Sequence, residues 1–131
     1  MMKVLIDSSA WIEFLRRTGE PELKAQVADI LGTGRAVFTC PIAFELRAGA
    51  RKSEVRALDE ALSFAERIEL TPRHWDLAAK HAATLRAKGI TVPASDLLIA
   101  TVAADSGVAL LARDQHFEMI RKATLSGLRL V

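Results

Sequence analysis

Tyrosine is absent from this 131-residue chain, cysteine occurs once, and only 5% of the residues are aromatic. A lone Cys40 cannot close an internal disulfide, which suits a reducing compartment. At the end of Val37-Phe38-Thr39-Cys40 it reads as a small buried apolar residue. The five Phe and two Trp fall mostly on apolar helix faces and leave no platform on which bases would stack. Long apolar runs are missing as well. Val4-Leu5-Ile6 is shorter than the ~7–15 residues at the core of an export signal, and Leu97 to Ala104, stopped by Asp105, falls short of the ~20 residues of a membrane helix. The expected location is the cytoplasm, away from any membrane. No charge of one sign dominates: 18 Lys and Arg face 16 Asp and Glu, a formal net charge of +2, and the pI near 9.0 points only weakly to nucleic acid. There is no GxxxxGK[ST], no GxGxxG, no nucleophile elbow and no Cys–His pair of recognisable spacing, so phosphate-loop, dinucleotide and triad chemistries find no support.

The chain is nevertheless half apolar, enough for a core of its own, and one domain over residues 1–131 is expected. Val4 to Ile6 predicts a strand, and Trp11, Ile12, Phe14 and Leu15 a helix directly after it. Pro21 opens a second helix that Gly32 and Gly34 close, and Ala36 to Thr39 predicts a second strand. A third helix runs from Pro41 to Ala48. A fourth, carried by Val55, Leu58, Leu62 and Ala65, reaches Ile68, with a brief edge strand at Ile68 to Leu70. Thr71-Pro72 starts a helix that Gly89 ends, Ser95 to Ala104 predicts another, and Asp114 to Arg121 a short one. Val108 to Leu111 and Leu128 to Val131 complete the strands. Such alternation implies an α/β fold with a mainly parallel central sheet and helices on both faces.

In such a sheet, ligands bind beyond the carboxyl ends of the strands. Asp7 directly follows the first strand and Asp114 follows the Val108 to Leu111 strand after two residues, so both reach one end. Asp96 opens an apolar helix, and Glu45 interrupts Ile42-Ala43-Phe44-Glu45-Leu46. Each aspartate also stands where a helix-capping acid is favoured, and Glu45 fits a solvated helix edge. No Lys or Arg stands immediately beside Asp7 or Asp96 to neutralise a cluster, and a divalent cation would. Oxygen donors without a His or Cys set suit Mg²⁺ or Mn²⁺ and disfavour zinc. His74 and His81 read as surface or packing residues, whereas His116, two residues after Asp114, is near enough to approach a substrate. Carboxylate-held metal makes phosphodiester hydrolysis the natural chemistry.

Four segments carry a resemblance: Val4-Leu5-Ile6-Asp7-Ser8-Ser9-Ala10-Trp11-Ile12, Pro41-Ile42-Ala43-Phe44-Glu45-Leu46-Arg47-Ala48-Gly49, Pro93-Ala94-Ser95-Asp96-Leu97-Leu98-Ile99-Ala100 and Leu110-Leu111-Ala112-Arg113-Asp114-Gln115-His116-Phe117. In this order the chain resembles the PIN-domain ribonucleases, and more narrowly the VapC-type toxins of bacterial toxin–antitoxin pairs. The resemblance implies a PIN-like fold and a Mg²⁺- or Mn²⁺-dependent endoribonuclease whose catalytic acids are Asp7, Glu45, Asp96 and Asp114. It makes Asp7, Asp96 and Asp114 the metal ligands and gives Glu45 the attacking water or a supporting role. It further implies an RNA substrate, a homodimer, and a cognate antitoxin covering the site. Trp11, Phe14 and Leu15 are candidates for the antitoxin's groove or for ordinary core packing, and Arg16, Arg17, Arg47, Arg51 and Arg113 for RNA phosphates or plain solvation. One departure is Ala112, where many relatives carry Thr or Ser two positions before the fourth acid.

Two other readings stay open from the sequence. A Mg²⁺-binding phospho-acceptor signalling domain has similar size and sheet, although its usual paired early acids are replaced here by Asp7-Ser8-Ser9. A PIN-like binding module without catalysis is the other.

Overall fold

The β-branched and apolar triplet Val4–Ile6 forms β1, every residue of it buried, in the computed structural model, which describes residues 1–131. The remaining strands are β2 (Ala36–Phe38), β3 (Glu66–Arg67) and β4 (Ala109–Leu111), and all pairs are parallel in the order β3-β2-β1-β4. The predicted parallel α/β sheet is therefore present. The helices are α1 (Ser8–Leu15), α2 (Pro21–Gly32), α3 (Cys40–Gly49), α4 (Val55–Leu62), α5 (Pro72–Ala87), α6 (Ala94–Ser106) and α7 (His116–Ala123). From β1 the chain adds β2 and β3 on one side, then crosses back to place β4 on the other. The strand order thus reverses between β1 and β4, the point where open α/β sheets bind ligands.

The core gathers around α6. Asp96 to Ala103 are buried without interruption, so this helix is apolar on every side and sits inside the fold. Gly107 ends it at φ 68°, a left-handed conformation that glycine adopts without a side-chain clash. The helix is a rigid mount for what stands at its first turn.

Several boundaries differ from the sequence reading. The fourth helix stops at Leu62 instead of Ile68, and the edge strand is Glu66–Arg67 instead of Ile68 to Leu70. Leu58 and Leu62 already spend the helix's apolar face on the core, and Ser63-Phe64-Ala65 turn the chain back. The carboxyl-terminal strand reduces to one bridge between Leu110 and Leu130. Cys40 is exposed, contrary to the expectation of burial, because β2 ends at Phe38 and Cys40 is already the first residue of α3. Thr39 takes the inward place instead. His74 is a buried structural residue: its Nδ1 accepts from the Thr71 backbone N–H at 3.0 Å while Nε2 meets Asp105 at 3.1 Å, closing the start of α5.

Gly19 turns the chain between α1 and α2 where no side chain fits. A β-carbon there would stand 1.8 Å from the Glu13 carbonyl oxygen. The same turn presents the Glu20 N–H to Glu13 Oε2 at 3.0 Å and the Glu20 carboxylate to Arg113. We predict that Gly19→Ala costs about 1–3 kcal/mol, the usual range for forcing extra atoms into a packed site, read as a lower midpoint in urea unfolding. An unchanged midpoint would show that the turn is free to open.

Candidate active site

Strand β1 delivers Asp7 to the sheet's carboxyl end, and the backbone N–H of Asp7 donates to the Leu111 carbonyl of β4 at 2.9 Å. The carboxylate caps α1: Oδ2 accepts from the Ser9 N–H at 3.1 Å and from the Ser9 hydroxyl at 2.5 Å. Capping uses only one of the two carboxylate oxygens. Oδ1 is buried with no hydrogen-bond partner, an arrangement that costs free energy unless something binds it. Ser9 also ties the loop after the neighbouring strand β4, because its hydroxyl accepts from the Arg113 N–H at 2.9 Å. Where Ala112 lacks a hydroxyl, Ser9 links the first and fourth acidic segments.

Asp96 stands in the first turn of α6, where the helix dipole favours a negative charge, and is buried. Asp114 caps the turn into α7 through the His116 N–H at 2.9 Å. Glu45, on α3, is exposed overall and accepts a long contact from the Ser8 hydroxyl at 3.5 Å. It is therefore no carboxylate drawn into the core: it leans over the cluster from its solvent side. The four predicted acids share one field. Loss of water around Asp7 pushes its carboxyl above the ordinary range, against the Ser9 hydrogen bonds that hold it down, with Asp114 adding to the rise. Asp96 is raised by burial first and by Asp114 and Asp7, opposed by its bond to His116. Glu45 is raised by partial loss of solvent, then by the charges of Asp7 and Asp96.

No Lys or Arg pairs with any of the four acids. The one basic group among them is His116, whose Nδ1 lies 2.9 Å from Asp96 Oδ2 and 3.0 Å from Asp114 Oδ1. Its bond to Asp96, then the nearby charges, push its pKa up. The sequence placed His116 near Asp114 but gave no sign that it also reaches Asp96. The residues present fit a divalent cation. They offer hard carboxylate oxygens, one of them buried and unpartnered, and the donor atoms of Asp96, Asp114 and His116 lie within 4.8 Å of one another.

A groove of about 700 Å³ leads away from Glu45 between the ends of α1 and α3 and the start of α4. Ile12 and Leu15, each 41% exposed, form part of its wall, whereas Trp11 is wholly buried and Phe14 packs edge-on against it at 6.2 Å. Of the residues considered for an antitoxin groove, Leu15 lies on one and Trp11 belongs to the core. Arg16, Arg17 and Arg51 line the same groove, and Arg17 and Arg51 form no ion pair. Arg47 and Arg113 are engaged by Asp59 and Glu20. Contrary to the reading that the aromatics lie mostly on apolar helix faces, three of the seven are exposed: Phe44, next to Glu45, and away from the site Phe64 and Trp75.

No curated protein matches this chain in sequence. Among solved structures it is similar to a DNA-bound VapBC from Salmonella typhimurium, with a TM-score of 0.81 at 19% identity over 100% of this chain and 98% of that one. It is also similar to VapBC-5 from Mycobacterium tuberculosis, at TM-score 0.70 and 22% identity over 100% and 98% of the two chains. A third is Mycobacterium tuberculosis VapC20, described as a sarcin–ricin loop cleaving toxin, at TM-score 0.65 and 16% identity over 89% and 94%. These likenesses establish a shared fold. The family model of the PIN domain matches residues 4–123, from the first strand to the end of α7, and the chain belongs to the PIN-domain family.

Proposed function

We propose that this chain, as one domain, is a metal-dependent endoribonuclease and the toxin of a type II toxin–antitoxin pair. One observation carries the reading. Carboxylates from four distant segments converge at the reversal of strand order, unpaired with Lys or Arg, and one buried oxygen of Asp7 has no partner. Asp7, Asp96 and Asp114 would hold Mg²⁺ or Mn²⁺. When bound, the ion supplies Lewis acidity toward a phosphodiester and helps to ionise an attacking water.

The chain's own residues do the rest. Ser9 fixes the Asp7 carboxylate and, through Arg113, the loop that bears Asp114. Glu45, raised in pKa and open to solvent on one side, is placed to take a proton from incoming water. Arg17 and Arg51 in the adjoining groove are free to hold backbone phosphates, which positions RNA without reading its sequence. The similar chain described as cleaving a sarcin–ricin loop supports RNA as the substrate class, and the VapBC complexes support an antitoxin partner. The apolar wall at Ile12 and Leu15 gives that partner a seat reaching Glu45. A homodimer accompanies this reading.

The test is incubation of the purified chain with structured RNA in Mg²⁺, in Mn²⁺ and in excess chelator. Discrete cleavage in either metal, abolished by chelator and restored by adding metal back, is the expected outcome. A folded chain that leaves RNA intact in both metals favours a binding module instead.

A further inference from the structure

We infer that His116 Nδ1 is a direct ligand of the divalent ion, and that it biases the site toward Mn²⁺ and away from Mg²⁺. The inference rests on the acidic pocket proposed above and adds to it a nitrogen donor.

The imidazole is held in place by the fold. His116 is the first residue of α7, its backbone N–H is bonded to the Asp114 carboxylate at 2.9 Å, and the next residue, Phe117, is anchored in the core at 1% exposure. With those restraints Nδ1 stands between Asp96 Oδ2 and Asp114 Oδ1, at 2.9 and 3.0 Å. An octahedral ion with bonds of ~2.1 Å sets neighbouring donor atoms about 3 Å apart. Nδ1 is thus at the spacing of adjacent corners from each of the two carboxylate oxygens, and the donor atoms of all three residues lie within 4.8 Å of one another, so one ion can reach all three. The other two histidines are occupied elsewhere, His74 by Thr71 and Asp105 and His81 by Thr124 at 2.8 Å.

Donor chemistry sets the consequence. Mg²⁺ dehydrates reluctantly and takes oxygen ligands, whereas affinity for nitrogen rises along the transition series from Mn²⁺ onward. Exchanging one water or carboxylate for an imidazole therefore gains more for Mn²⁺ than for Mg²⁺. A pocket of four carboxylates alone would carry no such bias.

Pulsed electron paramagnetic resonance of the Mn²⁺-loaded chain reads the bond itself. The expected spectrum shows nitrogen coupling of directly bound imidazole, and growth on ¹⁵N-histidine changes that coupling to the ¹⁵N pattern. This measurement uses the unaltered protein and does not depend on a variant folding. In His116→Gln the coupling disappears, Mn²⁺ affinity falls about tenfold or more, and Mg²⁺ affinity, measured by competition, changes less than about threefold. Bound Mn²⁺ without nitrogen coupling, or equal weakening of both ions, overturns the role of His116 and leaves the acidic pocket standing. Mn²⁺ that fails to bind, or binds equally well after Asp7→Asn combined with Asp96→Asn, overturns the pocket and this inference together.

Discussion

Asp96→Asn and Asp7→Asn are each expected to give a chain that folds and no longer cuts RNA. The amide keeps the shape of the carboxylate and loses the charge that a divalent cation needs. Removing a residue that merely supports a metal ligand costs ~10–100-fold in activity or affinity. Losing a ligand carboxylate itself is expected to cost about 10²–10³-fold or more in cleavage rate, roughly 3–4 kcal/mol of barrier. Folding is spared for reasons visible at each position. Asn caps a helix about as well as Asp, so the Ser9 contacts that start α1 keep an acceptor at position 7. At position 96 the amide oxygen still accepts from His116. Both variants also relieve a desolvated charge that stands among like charges, so in the absence of metal their melting temperatures are expected to equal or exceed that of the parent chain. The check is cleavage rate and thermal melting on the same samples, with growth arrest on induced expression as the cellular readout. Cleavage at the parent rate would remove the acids from the chemistry, and a lower melting temperature would make them structural.

The thermal stabilisation expected from a divalent cation should grow as pH rises. At a metal concentration of about 100 times Kd, mass action adds about 2.7 kcal/mol, which for a chain of this size raises Tm by roughly 10 °C. That gain belongs near pH 8. Asp7, Glu45 and Asp96 have carboxyls raised above their ordinary values of 3.8, 4.5 and 3.8, and His116 is raised above 6.5. A raised group binds its proton more tightly in the folded than in the unfolded chain. For His116 this stabilisation is fully present below pH 6.5 and is lost as pH rises through the folded value. For the three carboxyls, likewise, the ionised form is penalised above the folded value and relieved as pH falls. Protons and metal compete for the same groups, so lowering the pH from 8 to 5.5 removes part of the metal's gain. His81 acts in the opposite sense, since burial lowers its pKa. It lies on α5, bonded to Thr124, and affects the metal-free and metal-loaded chains alike, so it cancels from the difference. The lowered carboxyls of Asp105 and Glu118 stay ionised over this window. The measurement is the change in Tm on adding Mg²⁺ or Mn²⁺ at pH 5.5, 6.5, 7.2 and 8. A gain independent of pH, or one that persists in Asp96→Asn, contradicts metal capture by these groups.

Much of the architecture is written locally. Val4-Leu5-Ile6 followed at once by Asp7 presents an acid at the tip of a buried strand, and the apolar stretch after Asp96, interrupted only by Thr101, marks an inner helix. Boundaries proved harder where two patterns overlap. Ala65 and Ile68 continue the helical spacing of α4, yet the chain leaves the helix after Leu62 because pairing with β2 draws Glu66 and Arg67 into the sheet. Cys40 follows an apolar strand in sequence, while in space the strand has already given way to a helix start.

What the sequence determined alone was the set of elements and which acids they carry to the end of the sheet. Hydrophobic period and turn residues act within a few positions, and the lack of Lys or Arg immediately beside Asp7 and Asp96 is a local property of the chain. What only the tertiary structure decided was which groups meet: that Asp7 spends one oxygen on α1 and leaves the other bare, that Ser9 ties β1 to the loop after β4, and that His116 faces Asp96, twenty positions away. Those contacts depend on the strand order placing β4 beside β1, and strand order is set by burial summed over the whole chain, which no short window of residues contains.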